Sequence, residues 1–311
     1  NPHSSLADIT EAVNRFRGAD AQAAALPLAV RKSMRVSLLR RLFVDDLSFI
    51  NVAKEHVEVR DFYELLDKMI FPSQSHGHLG GKSAGLFVAA QIVRKSKRLA
   101  EFASRMRVPN TWYISSDGLH EFMRYNNLED LYNRKYTQIE RVRQEYPHIV
   151  QVFKNSKFPP DLSKGLSLAL DDFEEKPLIV RSSSLLEDQL GSAFSGKYKS
   201  LFVANQGSKR ERLEALQDAI AEVYASIFSA DPIEYRSQRG LLDFHEEMGI
   251  MIQEVVGTRV GDYFLPAFAG VAFGNNEFRW SPRIQREDGV VRLVPGLGTR
   301  AVDRLADDYP V

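Results

Sequence analysis

The stretch IVRSSSLLEDQLGSAFSGKYKSLF, residues 179–202, constrains this chain more than any other. Its apolar start reads as a buried strand that ends on Arg181. Three hydroxyls follow, then the acidic pair Glu187 and Asp188, then a loop with Gly191, Gly196 and several serines. Small residues let backbone N–H groups approach a phosphate closely, and an arginine offers its oxygens a planar fork. Taken alone, the same stretch also reads as a polar hairpin, with YKSLFVAN as its second strand.

About a hundred residues earlier stands HGHLGGKSAGLFVAAQIV, residues 76–93. Gly80 and Gly81 permit a tight turn, and an apolar run at helical spacing predicts a helix over about 83–105. Lys82 then projects at a helix start, where the backbone dipole favours anions. His76 and His78 flank Gly77, and a metal shared between them is not expected.

The rest of the chain supplies a scaffold. Residues 5–70 read as helical, with apolar residues recurring three and four apart. The basic run from Arg31 to Arg41 reads as the solvated face of an amphipathic helix, or as an anion site. VPNTWYISSDGLHEFM predicts a short strand, a Ser/Asp cap and a helix. A charged helical stretch covers about 124–155 and is broken by KFPP at 157–160. Leu213, Leu216, Ile220, Val223 and Ile227 share one face of a later helix. GIMIQEVV, FAGVAFG and VVRLV are β-rich runs bounded by Gly and Pro. Helices first, then mixed strands and helices, predict an α+β fold with antiparallel sheets. His245, in LLDFHEEMGI, reads as structural.

Composition excludes several functions. Lys+Arg and Asp+Glu are equal at 41 each, so the net charge carries no footprint for nucleic acid or an anionic membrane. The absence of cysteine removes disulfides, thiolate metal sites and thiol nucleophiles, and favours the cytoplasm. No apolar run has the roughly 18 to 20 residues of a membrane span, and the polar start shows no signal peptide. AVDRLADDYPV follows a Gly-rich turn without a closing helix or strand, as expected of a piece of a longer polypeptide.

The order of the sequence words carries a resemblance. GGK-x-x-x-L, V-P-x-x-W-x-I-S, V-R-S-S-x-x-x-E-D, F-S-G, Q-E-V-V, G-V-A-F and G-L-G follow one another over residues 76–304. This series resembles the N-terminal nucleotide-binding region of the phosphoenolpyruvate synthase and pyruvate phosphate dikinase family, shared by rifampicin phosphotransferases and glucan water dikinases. The first 70 residues have no counterpart in it.

The resemblance implies an ATP-grasp-like, two-lobed fold that clamps ATP. Residues 1–70 are then a helical N-terminal extension, 71–200 the first lobe and 201–311 a second lobe, incomplete at its C-terminus. By the same resemblance Lys82 reaches the phosphates and Arg181 contacts them, as the catalytic pair. Ser192, Ser195 and Gly196 belong to a loop that folds over the phosphates. MIQEVV is a strand beside adenine, with Gln253, Glu254 and the backbone of Val256 at the base. Magnesium accompanies the nucleotide. The function implied is transfer of a phosphoryl group from ATP to a histidine on a further domain, and on to an acceptor such as pyruvate. The phosphohistidine and acceptor domains are expected C-terminal to this chain, which has no Gly-rich T/S-H-A/S motif of its own.

The sequence departs from the family around G-L-G. Arg292 stands where a glutamate is usual, Thr299 follows the turn instead of a glutamate, and Asp303 occupies the glutamine position. Arg300 and Arg304 are then candidates for the phosphates. Asp303, Glu277 and Glu287, with Asp288 beside it, are candidates for magnesium, which needs only one or two protein carboxylates beside phosphate oxygens. These acids read equally as surface partners of nearby arginines. A catalytically altered, nucleotide-binding regulatory module is the alternative function.

Overall fold

The computed structural model describes residues 4–18, 26–184, 186, 196–244, 246–277, 279–296 and 298. Its contacts divide the chain into Asn1–Glu254 and Val255–Val311. The boundary expected at residue 200 coincides with the start of a strand, Ser200–Val203, inside the first of these units.

The first unit opens with helices α1 (Leu6–Arg17), α2 (Leu28–Leu42), α3 (Leu47–His56) and α4 (Phe62–Asp67), then strand β1 (Met69–Ile70). There follow α5 (Gly81–Lys95), α6 (Ala100–Ala103), β2 (Thr111–Ile114), α7 (Asp117–Tyr125), α8 (Ile139–Lys154) and α9 (Pro160–Phe173). Strands β3 (Leu178–Ser184) and β4 (Ser200–Val203), helices α10 (Lys209–Ala225) and α11 (Ala230–Gln238), and β5 (Met248–Glu254) complete it. Among the described residues no helix is long and apolar enough to cross a membrane.

Local chemistry sets several of these boundaries. Ser5 caps α1 reciprocally with Asp8: the Asp8 N–H donates to Ser5 Oγ at 3.1 Å, and the Ser5 N–H donates to Asp8 at 2.9 Å. Ser208 and Glu211 repeat the device at α10. Pro160 opens α9, where its missing N–H costs nothing. Pro147 lies inside α8, where buried Val142, Ile149 and Phe153 hold the helix through a residue that disfavours it. The expected helix over 124–155 is a 3-10 segment, Glu129–Tyr136, followed by α8.

The five strands form one sheet in the order β1-β2-β5-β3-β4. β1 pairs with β2 in parallel, a departure from the antiparallel expectation, and the other three pairings are antiparallel. β5 is central and buried at all seven residues, which explains why its sequence runs apolar without alternating.

Two cores cover the two faces. Trp112, Ile114, Leu178, Val180, Ile250 and Ile252 point into a cluster with Phe122, Phe153, Phe173, Ile220 and Tyr224 from the later helices. Tyr113 and Met251, one position out of phase, join Leu6, Leu39, Phe43, Phe62 and Phe87 from the N-terminal helices and α5. The N-terminal helices α1 to α4 therefore help to cover one face of the sheet.

The second unit contains β6 (Thr258–Val260) paired with β7 (Tyr263–Leu265), and β8 (Phe268–Phe273) paired with β9 (Val290–Pro295). Both are two-stranded and antiparallel.

Candidate functional site

The glycine-rich turn and the end of β3 meet face to face. A Cβ on Gly80 would lie 2.0 Å from the Ser183 carbonyl oxygen, and Gly80 has a φ of +79°, so a side chain is excluded twice. One turn into α5, the Ser83 N–H donates to Ser183 Oγ at 3.1 Å, and the two hydroxyls lie 3.0 Å apart. Both serines are buried. The motif words GGK and VRSS are thus parts of one structure.

Alternation along β3 sorts its side chains. Leu178 and Val180 enter the core, while Ile179, Arg181 and Ser183 share the opposite face, the one α5 touches. Arg181 is half-buried and pairs through its backbone with Met251 of β5 and Ser200 of β4. Its Nε is buried and has no hydrogen-bond partner among the described residues. Lys82 is half-buried in the first turn of α5, with its ammonium nitrogen withdrawn from solvent. An anion gains most from cations placed so, because little water screens them. On the same sheet face, towards the β4 edge, Ser200 and Phe202 are exposed.

Gly196 is described, with φ +81° and no described atom within 4 Å of where a Cβ would sit. Ser192, Ser195, His245, Thr299, Arg300, Asp303 and Arg304 lie outside the described residues.

Gln253 and Glu254 end β5. Gln253 is buried, and its Nε2 donates to Thr111 Oγ1 at 3.0 Å. Glu254 is also buried; its carboxylate accepts from the Arg107 guanidinium and from the Asn110 N–H at 3.1 Å, with Lys176 Nζ at 3.1 Å. Burial pushes its pKa up, but the Asn110 N–H, Lys176 and Arg107 outweigh that and hold it below the usual carboxylate range. The carboxylate expected at the base edge is therefore already engaged by partners of its own unit.

Val256, Glu277, Glu287 and Arg292 belong to the second unit. Val256 is half exposed. Glu277 pairs with Arg286 at 2.7 Å, and hydrogen bonding to that guanidinium lowers its pKa. Glu287 and Asp288 share a 3-10 turn, where Asp288 accepts from the Gln285 N–H at 2.8 Å. Arg292 lies over the Phe273 ring, 5.6 Å from its centre. Among the described residues no three His, Asp or Glu side chains converge on a point that could hold a metal.

The supports of the turn escape sequence reading. Ser116 precedes α7 as expected of a cap, yet makes no side-chain cap bond. Its hydroxyl accepts from the His78 N–H at 3.0 Å and donates to Glu247 at 3.1 Å. Asp117 accepts from the N–H groups of His76 and Gly77, at 2.9 and 3.1 Å. His78 Nδ1 lies 3.0 Å from Glu247, whereas His76 Nδ1 lies 3.1 Å from Arg41, so the two imidazoles have different partners. S-S-D-G signals a helix start, and nothing in its spelling announces a second use.

Comparison with known proteins identifies the family. Residues 76–311 match the family model of the pyruvate phosphate dikinase AMP/ATP-binding domain. A curated relative, the phosphoenolpyruvate synthase of Aquifex aeolicus (strain VF5), is 23% identical over 193 residues, covering 58% of this chain and 21% of the relative. The chain thus spans about a fifth of the length of that relative. It belongs to the pyruvate phosphate dikinase AMP/ATP-binding family.

Proposed function

We propose that this member of the dikinase family is the ATP-binding part of a phosphotransferase, passing a phosphoryl group from ATP to a histidine on a further domain and on to an acceptor such as pyruvate. The observation that carries the reading is the junction of Gly80 and Ser83 with Ser183, which joins the lysine-bearing turn to the arginine-bearing strand. The residues fit a polyphosphate. Glycine leaves the backbone free to approach it, and Arg181 keeps a buried donor without a partner among the described residues. Leaving such a donor unsatisfied costs roughly 1 to 3 kcal/mol, which an anion would relieve.

In this reading Lys82 neutralises phosphate charge and Arg181 fixes orientation through its fork. Gly196, Ser192 and Ser195 cover the phosphates, and Gln253, Glu254 and Val256 flank the base, where Glu254 acts by holding the end of β5 in place. Arg300 and Arg304 add positive charge. Magnesium, held by Asp303 with Glu277 or Glu287, would screen the phosphate oxygens. A regulatory, non-catalytic module is the second reading, favoured by Arg292 standing at an acidic position and lying against Phe273.

Calorimetric titration with ATP tests the proposal. Saturable binding of one ATP per chain is expected, and absence of binding overturns it. With labelled ATP, residues 1–311 are expected to give no acid-labile phosphohistidine; stoichiometric labelling would put the acceptor within them.

A further inference from the structure

Residues 1–75 lie outside the family match, yet they hold the turn that the match begins with. Segment 75–79 runs with nearly every backbone polar group assigned. From the α7 side, Asp117 takes the N–H groups of His76 and Gly77, and Ser116 takes the N–H of His78 and donates its own N–H to the His78 carbonyl at 2.8 Å. From the other side come the N-terminal helices. The Leu6 N–H donates to the Ser75 carbonyl at 2.8 Å, and the Leu79 N–H donates to the Leu42 carbonyl at 2.8 Å. Between these two bonds sits Arg41, near the end of α2. Its Nη1 donates to the His76 carbonyl at 2.8 Å, and its Nη2 lies 3.2 Å from the Ser4 carbonyl. One guanidinium therefore ties the start of α1 to the glycine-rich turn.

We propose that α1 and α2 form a clamp that keeps the turn in its nucleotide-ready conformation, with Arg41 as the positioning residue. Backbone-to-backbone bonds can form only if α1 and α2 are already docked, and Arg41 is the side chain that fixes both to the turn. Its bonds are charge-assisted and so stronger than those between neutral groups. Arg41 does not touch the phosphate site itself; it acts through His76, four residues before Gly80. The ends of the segment are packed to match: Ser75 and Leu79 are buried, and a Cβ on Gly249 of β5 would lie 2.9 Å from the Leu79 carbonyl oxygen. A turn held on both sides loses little entropy when it closes on an anion, which is how preorganisation raises affinity. The coupling is reciprocal: whatever factor the clamp adds to ATP affinity, bound ATP returns to the docking of α1 and α2.

This inference rests on the ATP reading given above, and its test separates the two. The variants are Arg41→Ala, Arg41→Lys and, as control, Arg40→Ala, which removes an exposed charge on the same helix that pairs with Asp45. The first measurement is hydrogen exchange without nucleotide. Arg41→Ala should speed exchange of the amides of residues 75–80 about tenfold, with Arg41→Lys intermediate and Arg40→Ala unchanged. Unchanged exchange in Arg41→Ala overturns the clamp. The second is affinity for ATP and for adenosine. Arg41→Ala should weaken ATP about tenfold and leave adenosine unaffected, because the turn meets phosphates and not the base. Equal losses for both ligands mean a general structural defect and overturn the positioning role. In the unmodified chain, ATP should slow exchange at Leu6 and along α1. If the unmodified chain binds no ATP, the nucleotide reading falls and the coupling with it, while exchange still decides whether Arg41 holds the turn.

Discussion

The Ser83 N–H donates to Ser183 Oγ across 3.1 Å, joining residues a hundred positions apart in the chain. Both are buried, so neither has water as a substitute. Ser183→Ala should leave the Ser83 amide unsatisfied and cost about 1 to 3 kcal/mol in denaturant unfolding. ATP affinity should fall with it. A variant as stable as the parent would show that the contact is incidental.

Gly80→Ala is expected to be harsher at the site. The backbone there occupies a region reserved almost wholly for glycine, at a cost of about 1 to 3 kcal/mol for any other residue. The new Cβ also meets the Ser183 carbonyl at 2.0 Å. Calorimetry should find ATP binding lost or weakened far more than by Gly85→Ala in α5, whose Cβ would meet no described atom within 4 Å.

Glu254 makes a pH prediction. Its folded pKa is depressed below the ordinary 4.5, so it contributes stability that is present above that value and is lost as pH falls through the folded pKa. Acid titration of unfolding free energy should show this slope below pH 4.5, and Glu254→Gln should flatten it. Equal slopes in both proteins would remove Glu254 from the acid response.

Magnesium gives a fourth test. Asp303→Asn should raise the Mg2+ needed for tight ATP binding and leave metal-free affinity similar, because an amide is a weaker ligand for a hard cation. An unchanged Mg2+ dependence would return Asp303 to the surface charges and favour the regulatory reading.

Much of the architecture was legible because its signals are local. The strand and helix expected from VPNTWYISSDGLHEFM are β2 and α7, and the β-rich run GIMIQEVV is β5. Lys82 and Arg181 stood out because glycine and serine beside a cation form a recognisable phosphate vocabulary. The basic run Arg31–Arg41 was less legible. Lys32 and Arg40 do form exposed pairs, with Glu55 and Asp45, as a solvated face should. Arg41 spells the same and does something else, because its partners are backbone carbonyls at Ser4 and His76. Carbonyl acceptors have no letter in the sequence, so only the fold reveals them. Asp117 spells a helix start, because the backbone N–H groups it accepts from at His76 and Gly77 have no letter either, and the two-residue strand β1 is too short to carry a period.

In the proposed function Lys82 and Arg181 together bind the phosphates of ATP, and calorimetry on Lys82→Ala and Arg181→Ala is the sharpest test of that pairing. Each substitution should weaken ATP by about 1.5 to 3 kcal/mol, the usual worth of a charge-assisted contact, while adenosine affinity holds. ATP affinity unchanged in both variants would contradict it.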